Sequence, residues 1–235
     1  MSNAPSAPPG RPHPPARVVL FDLDGTLVDT LPDIHAAVSA LLAELGAAPL
    51  PADAVRAMIG DGLPALAAKI VAAAGVRARD AAAAEAYARR LHRHYVARDH
   101  AGSTLYPEVA ETLAALQAAG FRLGVCTNKY EAAAREVLAR LGIGGLFGAV
   151  GGGDSFAARK PDPAHVRGVL AQLGTAPEQA VLVGDGINDV LAARAAGVRS
   201  VLVAYGYGTD HARATGPDAE VATFAEVRRA VEGLL

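Results

Sequence analysis

Hydrophobic and polar positions follow two different rhythms along this chain. "RVVLFDLD", from Arg17 to Asp24, runs through β-branched and apolar residues into acidic ones and predicts a short buried strand. From about Leu31 to His100 the period turns helical. "LPDIHAAVSALLAELG" sets Ile34, Val38, Leu41, Leu42 and Leu45 along one face and stops at a glycine. "PADAVRAMIG", "LPALAAKIVAAAG" and "AAAAEAYARRLHRHYVARD" read as further helices, with no strand among them.

Beyond Tyr106 strands and helices alternate. "FRLGVCT", "GAVGGG", "AVLVGD" and "SVLVAY" read as strands. "PEVAETLAALQAAG", "YEAAAREVLARLG", "PAHVRGVLAQLG", "NDVLAARAAG" and "FAEVRRAVEGLL" read as helices, several bounded by proline or glycine. Such alternation predicts an α/β fold: a Rossmann-like parallel sheet covered by helices on both faces, with an all-helical segment inserted after its first strand. The expected division is a flexible tail at residues 1–16, a core from residues 17–30 and 103–235, and a helical cap at residues 31–102.

Composition narrows this picture. The chain is 51 % hydrophobic and 20 % charged over 235 residues, a globular balance that allows one large domain with an insertion. A formal net charge of −2 predicts no nucleic acid as main partner. No apolar run approaches the roughly 18 residues that span a bilayer, so no membrane is expected. The tail "MSNAPSAPPGRPHPPAR" lacks the apolar centre of a signal peptide. A single cysteine, Cys126, excludes an intramolecular disulfide and fits a reducing, cytoplasmic setting.

Candidate chemistry lies at the strand ends. Ligands of open α/β sheets bind at the carboxyl ends of the strands. Here "LFDLD", "GVCTN" and "VLVGD" end in Asp22, Asp24, Thr127, Asn128 and Asp185, with Asp189 one helical turn on and Lys160 in "ARKPDP". Crowded carboxylates repel one another and lose hydration, so a cation belongs among them. Hard oxygen ligands suit Mg²⁺. Thr127 and Asn128 precede a helix, where free N–H groups suit phosphate, and Lys160 supplies a point charge. Together these parts indicate phosphoryl transfer.

"FDLDGTLVD" resembles the first motif of the haloacid dehalogenase superfamily, DxDGT; "VCTN", "RKPDP" and "GDGINDV" are similar to its second, third and fourth motifs, in order. The resemblance covers nearly everything from residue 17. It implies that Asp22 attacks phosphorus and that Asp24 protonates the leaving oxygen and then activates water. It further implies Mg²⁺ held by the Asp22 carboxylate, the Asp24 main-chain carbonyl and Asp185, with Asp189 supporting its water shell. Thr127 and Asn128 would bind phosphoryl oxygens, and Lys160 would offset their charge. Gly186 stands where serine is frequent in this branch, which removes a hydroxyl but no acid.

The inserted helices resemble the family's C1 cap. "MIGDG", with Gly60, Asp61 and Gly62, resembles the IGxG specificity loop of phosphoglycolate phosphatases; "LYPEVAETLAALQAAG", "VGGGDSFAARKPDP" and "YGYGT" look like the same group, with Glu108 where glycine is common. The resemblance implies a small phosphorylated metabolite as substrate, foremost 2-phosphoglycolate. Another small-metabolite phosphatase, a pyrophosphatase, a sugar phosphomutase and a catalytically silent binding module remain open. Arg56 and Lys69 are the nearest cap cations for a substrate carboxylate. Cys126 is read as a small core residue, "RRLHRHYVARDH" as the solvated face of a helix, and His92, His94 and His100 as no metal site.

Overall fold

The computed structural model describes residues 17–76 and 80–235; the expected tail at residues 1–16 lies outside the described residues. The first strand, β1 (Val18–Phe21), is followed by a two-residue strand, β2 (Val28–Asp29). Four helices come next: α1 (Leu31–Glu44), α2 (Ala52–Arg56), α3 (Leu63–Ala73) and α4 (Ala81–Val96). The chain returns through β3 (Thr104–Leu105) to α5 (Val109–Ala118), β4 (Arg122–Cys126), α6 (Glu131–Arg140) and β5 (Ala149–Gly151). It then runs through α7 (Pro163–Gln172), β6 (Ala180–Gly184), α8 (Ile187–Ala196) and β7 (Arg199–Val203). The last elements are α9 (Thr209–Arg213), β8 (Ala219–Val221) and α10 (Val227–Leu234).

Among the described residues, six strands pair in parallel in the order β5-β4-β1-β6-β7-β8. β1 lies near the middle, between β4 and β6, so its carboxyl end meets theirs. Its alternating side chains serve both faces. Val19 and Phe21 pack with Leu113, Val137, Val183 and Phe224 on one side, and Val18 and Leu20 pack with Val166, Val169, Leu182 and Ala193 on the other. Every residue of β1 is fully buried. Burial of that kind contributes about 2 kcal/mol for each large apolar side chain.

The helices α1 to α4 enclose an apolar cluster of their own: Ile34, Val38, Leu41, Leu42, Val55, Leu66, Ile70, Leu91 and Tyr95, joined by Ala133 of α6. The two chain crossings into and out of this region run side by side, β2 antiparallel to β3. Asp33 holds them together, its fully buried carboxylate accepting from Gly102 N–H and Ser103 Oγ.

Three features depart from the expected elements. "PADAVRAMIG" is helical only over Ala52–Arg56. The β2–β3 pair is too short to carry a periodic signal, and β8 is three residues with a glutamate at its centre. "RRLHRHYVARDH" does carry a solvated face, where Arg90, Arg93 and His94 gather on Glu44.

Candidate active site

β1 ends at Phe21, so Asp22 emerges at the rim, its N–H still held by the Val183 carbonyl of β6. Asp185 and Asp189 follow β6, and carboxylate oxygens of Asp22, Asp185 and Asp189 lie within 4.8 Å of one another. Lys160 reaches the same point, 1 % exposed, with its ammonium 2.6 Å from Asp189 Oδ1 and 3.1 Å from Asp22 Oδ1. It also donates to the Cys126 carbonyl. Thr127 and Asn128 close the rim after β4, both buried.

The electrostatics are those of a site short of positive charge. Burial, with Asp189 and Asp24 nearby, pushes Asp22 up to about 6 even though Lys160 pulls the other way. Burial and the Asp189 and Asp22 carboxylates push Asp185 up to about 7. Burial opposes the Lys160 ammonium, yet Asp189 and Asp22 hold its pKa above the ordinary lysine value. Asp22 Oδ1 is buried and is met by the Lys160 ammonium as an ion pair at 3.1 Å rather than by a well-aligned hydrogen bond. A buried carboxylate oxygen whose neighbour is an ammonium shared with Asp189, two destabilised carboxyls and an all-oxygen donor set fit a hard divalent cation. Asp22 and Asp185 would hold it. Asp189 has one oxygen on Lys160 and the other accepting from Gly186 N–H at 2.9 Å, so it sits beside that position rather than idle within it.

Asp185 is fixed by two segments. Thr26 Oγ1 donates to its Oδ1 at 3.0 Å, and the Tyr207 and Gly208 N–H groups donate to its Oδ2. The "YGYGT" loop can come that close because Gly206 has no side chain: a Cβ there would stand 2.0 Å from Asp185 Cβ. The Tyr207 hydroxyl donates to Asp29 and accepts from the Thr30 and Leu31 N–H groups at the start of α1.

The other predicted residues divide. Asp24 lines the same cavity but is engaged apart from the acid cluster: its carboxylate accepts from Thr30 Oγ1 at 2.7 Å and pairs with Lys129 at 3.0 Å. Asn128 gives both amide protons away, to Gly60 O and Lys160 O at 2.9 Å each, so its side chain braces the site and its main-chain N–H is the group left for an anion. Gly60 and Gly62 line the cavity over the rim, whereas Asp61 turns to Asn188 Nδ2 at 2.7 Å and to Lys69. Arg56 donates to the Gly206 carbonyl at 2.8 Å. Neither Arg56 nor Lys69 lines that cavity, whose volume is about 90 Å³. His92, His94 and His100 do not converge: His94 bonds Glu44, His100 faces Glu136 and His92 lies edge-on to Tyr130. Burial pushes the Cys126 thiol up to about 12, as suits a core residue.

Sequence reasoning passed over Lys129, Asn188, Tyr207 and His165. The His165 Nδ1 accepts the Lys160 N–H at 3.2 Å, and its Nε2 faces the Gly151 carbonyl at 3.3 Å, which assigns the proton to Nε2. Lys129 directly follows "VCTN", and Asn188 lies inside "GDGINDV", so proximity to a recognised motif was the available signal.

The model of the haloacid dehalogenase-like hydrolases matches residues 19–203. A phosphoglycolate phosphatase of Rhodospirillum rubrum is 44 % identical over 214 residues, 90 % of this chain and 89 % of that protein. One from Caulobacter vibrioides is 42 % identical over 92 % of this chain and 91 % of its own length. A crystal structure of a predicted phosphoglycolate phosphatase from Haemophilus somnus superposes with a TM-score of 0.85 at 32 % identity, covering 92 % of this chain and 97 % of that one. With an α/β core, a rim of acids and no described helix long and apolar enough to cross a membrane, the chain belongs to the haloacid dehalogenase-like hydrolases and is an enzyme of their phosphatase type.

Proposed function

We propose that the protein hydrolyses 2-phosphoglycolate to glycolate and phosphate in the cytoplasm, using Mg²⁺. The observation that carries this reading is the meeting of Asp22 with Lys160, 3.1 Å from its Oδ1, and with two further acids in one small cavity. The names borne by relatives at 42 to 44 % identity point to the substrate.

An Asp22 oxygen attacks phosphorus in line with the departing ester oxygen; the new O–P bond forms as the P–O bond to glycolate breaks. Lys160, the Thr127 hydroxyl and the Asn128 main-chain N–H stabilise charge on the transferring oxygens. Asp24 gives its proton to the glycolate oxygen and later takes one from the water that cleaves the aspartyl-phosphate. Mg²⁺, when bound by Asp22, Asp185 and the Asp24 carbonyl, would supply electrostatic stabilisation of the phosphoryl group. Residues 31–102 act as a cap that excludes water, with Gly60, Asp61 and Gly62 as its contact loop; residues 17–30 and 103–235 are the catalytic core.

The test is phosphate release with Mg²⁺ over 2-phosphoglycolate, pyrophosphate, hexose phosphates and a nucleotide. The expected result is a kcat/KM for 2-phosphoglycolate at least about 100-fold above the rest. Faster turnover of another member would overturn the substrate, and isomer formation without phosphate release would overturn hydrolysis.

A further inference from the structure

Besides Lys160, the cavity is lined by a second buried ammonium, that of Lys129 on the loop after β4, 8 % exposed. Its Nζ lies 3.0 and 3.2 Å from the two Asp24 oxygens and 4.4 Å from the centre of the Tyr95 ring. Tyr95 comes from α4, on the opposite wall, so the pair spans the boundary between the sheet region and the inserted helices. The Tyr95 hydroxyl is buried beside the Lys129 ammonium, and among the described residues no acceptor takes its proton. A buried polar group left unpaired calls for a ligand or a water. Lys160 is not available for a second anion, being engaged by Cys126, Asp22 and Asp189.

Asp24 creates a conflict. Its carboxylate is bound by Lys129 and Thr30, yet the chemistry above needs it turned to the ester oxygen. Were Asp24 to turn alone, Lys129 would remain as a buried cation without a counter-ion, a strongly unfavourable state. A second carboxylate, arriving with the substrate, resolves this: it pairs with Lys129, accepts the unplaced proton of the Tyr95 hydroxyl and releases Asp24.

We propose that Lys129 and Tyr95 form the subsite for the substrate's carboxylate, and that this carboxylate takes over the ammonium from Asp24, freeing Asp24 to face the ester oxygen. The inference rests on the phosphoglycolate reading and adds the residues that read the acid. A phosphomonoester without a carboxylate leaves Lys129 on Asp24, so it loses kcat as well as affinity.

The experiment compares kcat and KM for 2-phosphoglycolate and for ethyl phosphate, which keeps the two-carbon ester but lacks the carboxylate, with Mg²⁺ present. Wild type, K129M, K129R and Y95F are measured. The wild-type ratio of kcat/KM values is expected at about 100-fold or more, falling below about 10 in K129M, mostly retained in K129R and several-fold reduced in Y95F. A merely structural role would slow both substrates alike and leave the ratio in place. A folded K129M that keeps the wild-type ratio overturns the subsite alone; a wild type that treats the two esters alike overturns the substrate reading with it. If K129M does not fold, an unchanged ratio in Y95F overturns the proposal.

Discussion

His165 shows how a residue outside the reacting cluster sets the position of one inside it. It is fully buried on the first turn of α7, and its ring bridges the Lys160 N–H and the Gly151 carbonyl. Burial, aided by the nearby Lys160 charge, pushes it down to about 4, so the fold keeps the imidazole neutral. An unfolded histidine titrates near 6.5, so the stability due to this group is complete above that value and is lost as pH falls towards 4. The loss at the acid end is on the order of 3 kcal/mol. H165Q retains an acceptor and a donor but takes up no proton. Thermal melts from pH 7.5 to 4.5 are expected to show a shallower acid decline in H165Q than in wild type; parallel curves would remove His165 from the account. Glu108 is a second instructive residue. It adopts φ 64 at the start of α5, a left-handed conformation that costs a non-glycine residue about 1–2 kcal/mol and explains why glycine suits that position.

Elements were legible in proportion to the regularity of their pattern. β1, β4, β6 and β7 are compact apolar runs, and the first three end in polar residues, so both the sheet and the rim acids Asp22, Asp185 and Asp189 could be read from the chain. The β2–β3 pair, β8 and α9 are held by tertiary contacts rather than by periodicity, and left no such trace. Contacts between distant segments were likewise hidden: Asn188 meets Asp61 across 127 positions, and Lys129 meets Asp24 across 105. The loop between α2 and α3 depends on such contacts. Gly62 has φ +84, and a Cβ there would stand 2.9 Å from the Asn128 carbonyl oxygen. G62A therefore strains the backbone and lifts the loop from Asn128 and Asn188. The expected effect is a fall in kcat/KM of about tenfold or more, with a melting temperature only a few degrees lower. Unchanged kinetics would show that the loop need not seat against the core for turnover.

At the scale of the whole molecule, the sheet brings three carboxylates together where burial and repulsion make Asp22 and Asp185 costly, and one lysine offsets only part of that charge. Such a fold holds its acids at the expense of stability until a cation arrives, and binding returns that stability by mass action. D185N separates the two effects. An asparagine oxygen can still accept from the Tyr207 and Gly208 N–H groups, and its amide can donate to Thr26 Oγ1, whose hydroxyl turns to accept. The local bonds survive, one buried negative charge goes, and the donor set for a divalent cation is broken. At pH 7.5 without metal, D185N is expected to melt at or above the wild-type temperature. Millimolar Mg²⁺ is expected to raise the melting temperature of wild type and leave that of D185N unmoved. Activity with Mg²⁺ should fall on the order of 100-fold or more, since the charge stabilisation a bound metal supplies amounts to several kcal/mol. A metal-free D185N that melts well below wild type would mean that Asp185 is a structural anchor whose charge the fold needs. A Mg²⁺ shift preserved in D185N would place the cation elsewhere. Stabilisation without metal combined with loss of the metal response is the pattern that a site built for a cation, and strained without one, requires.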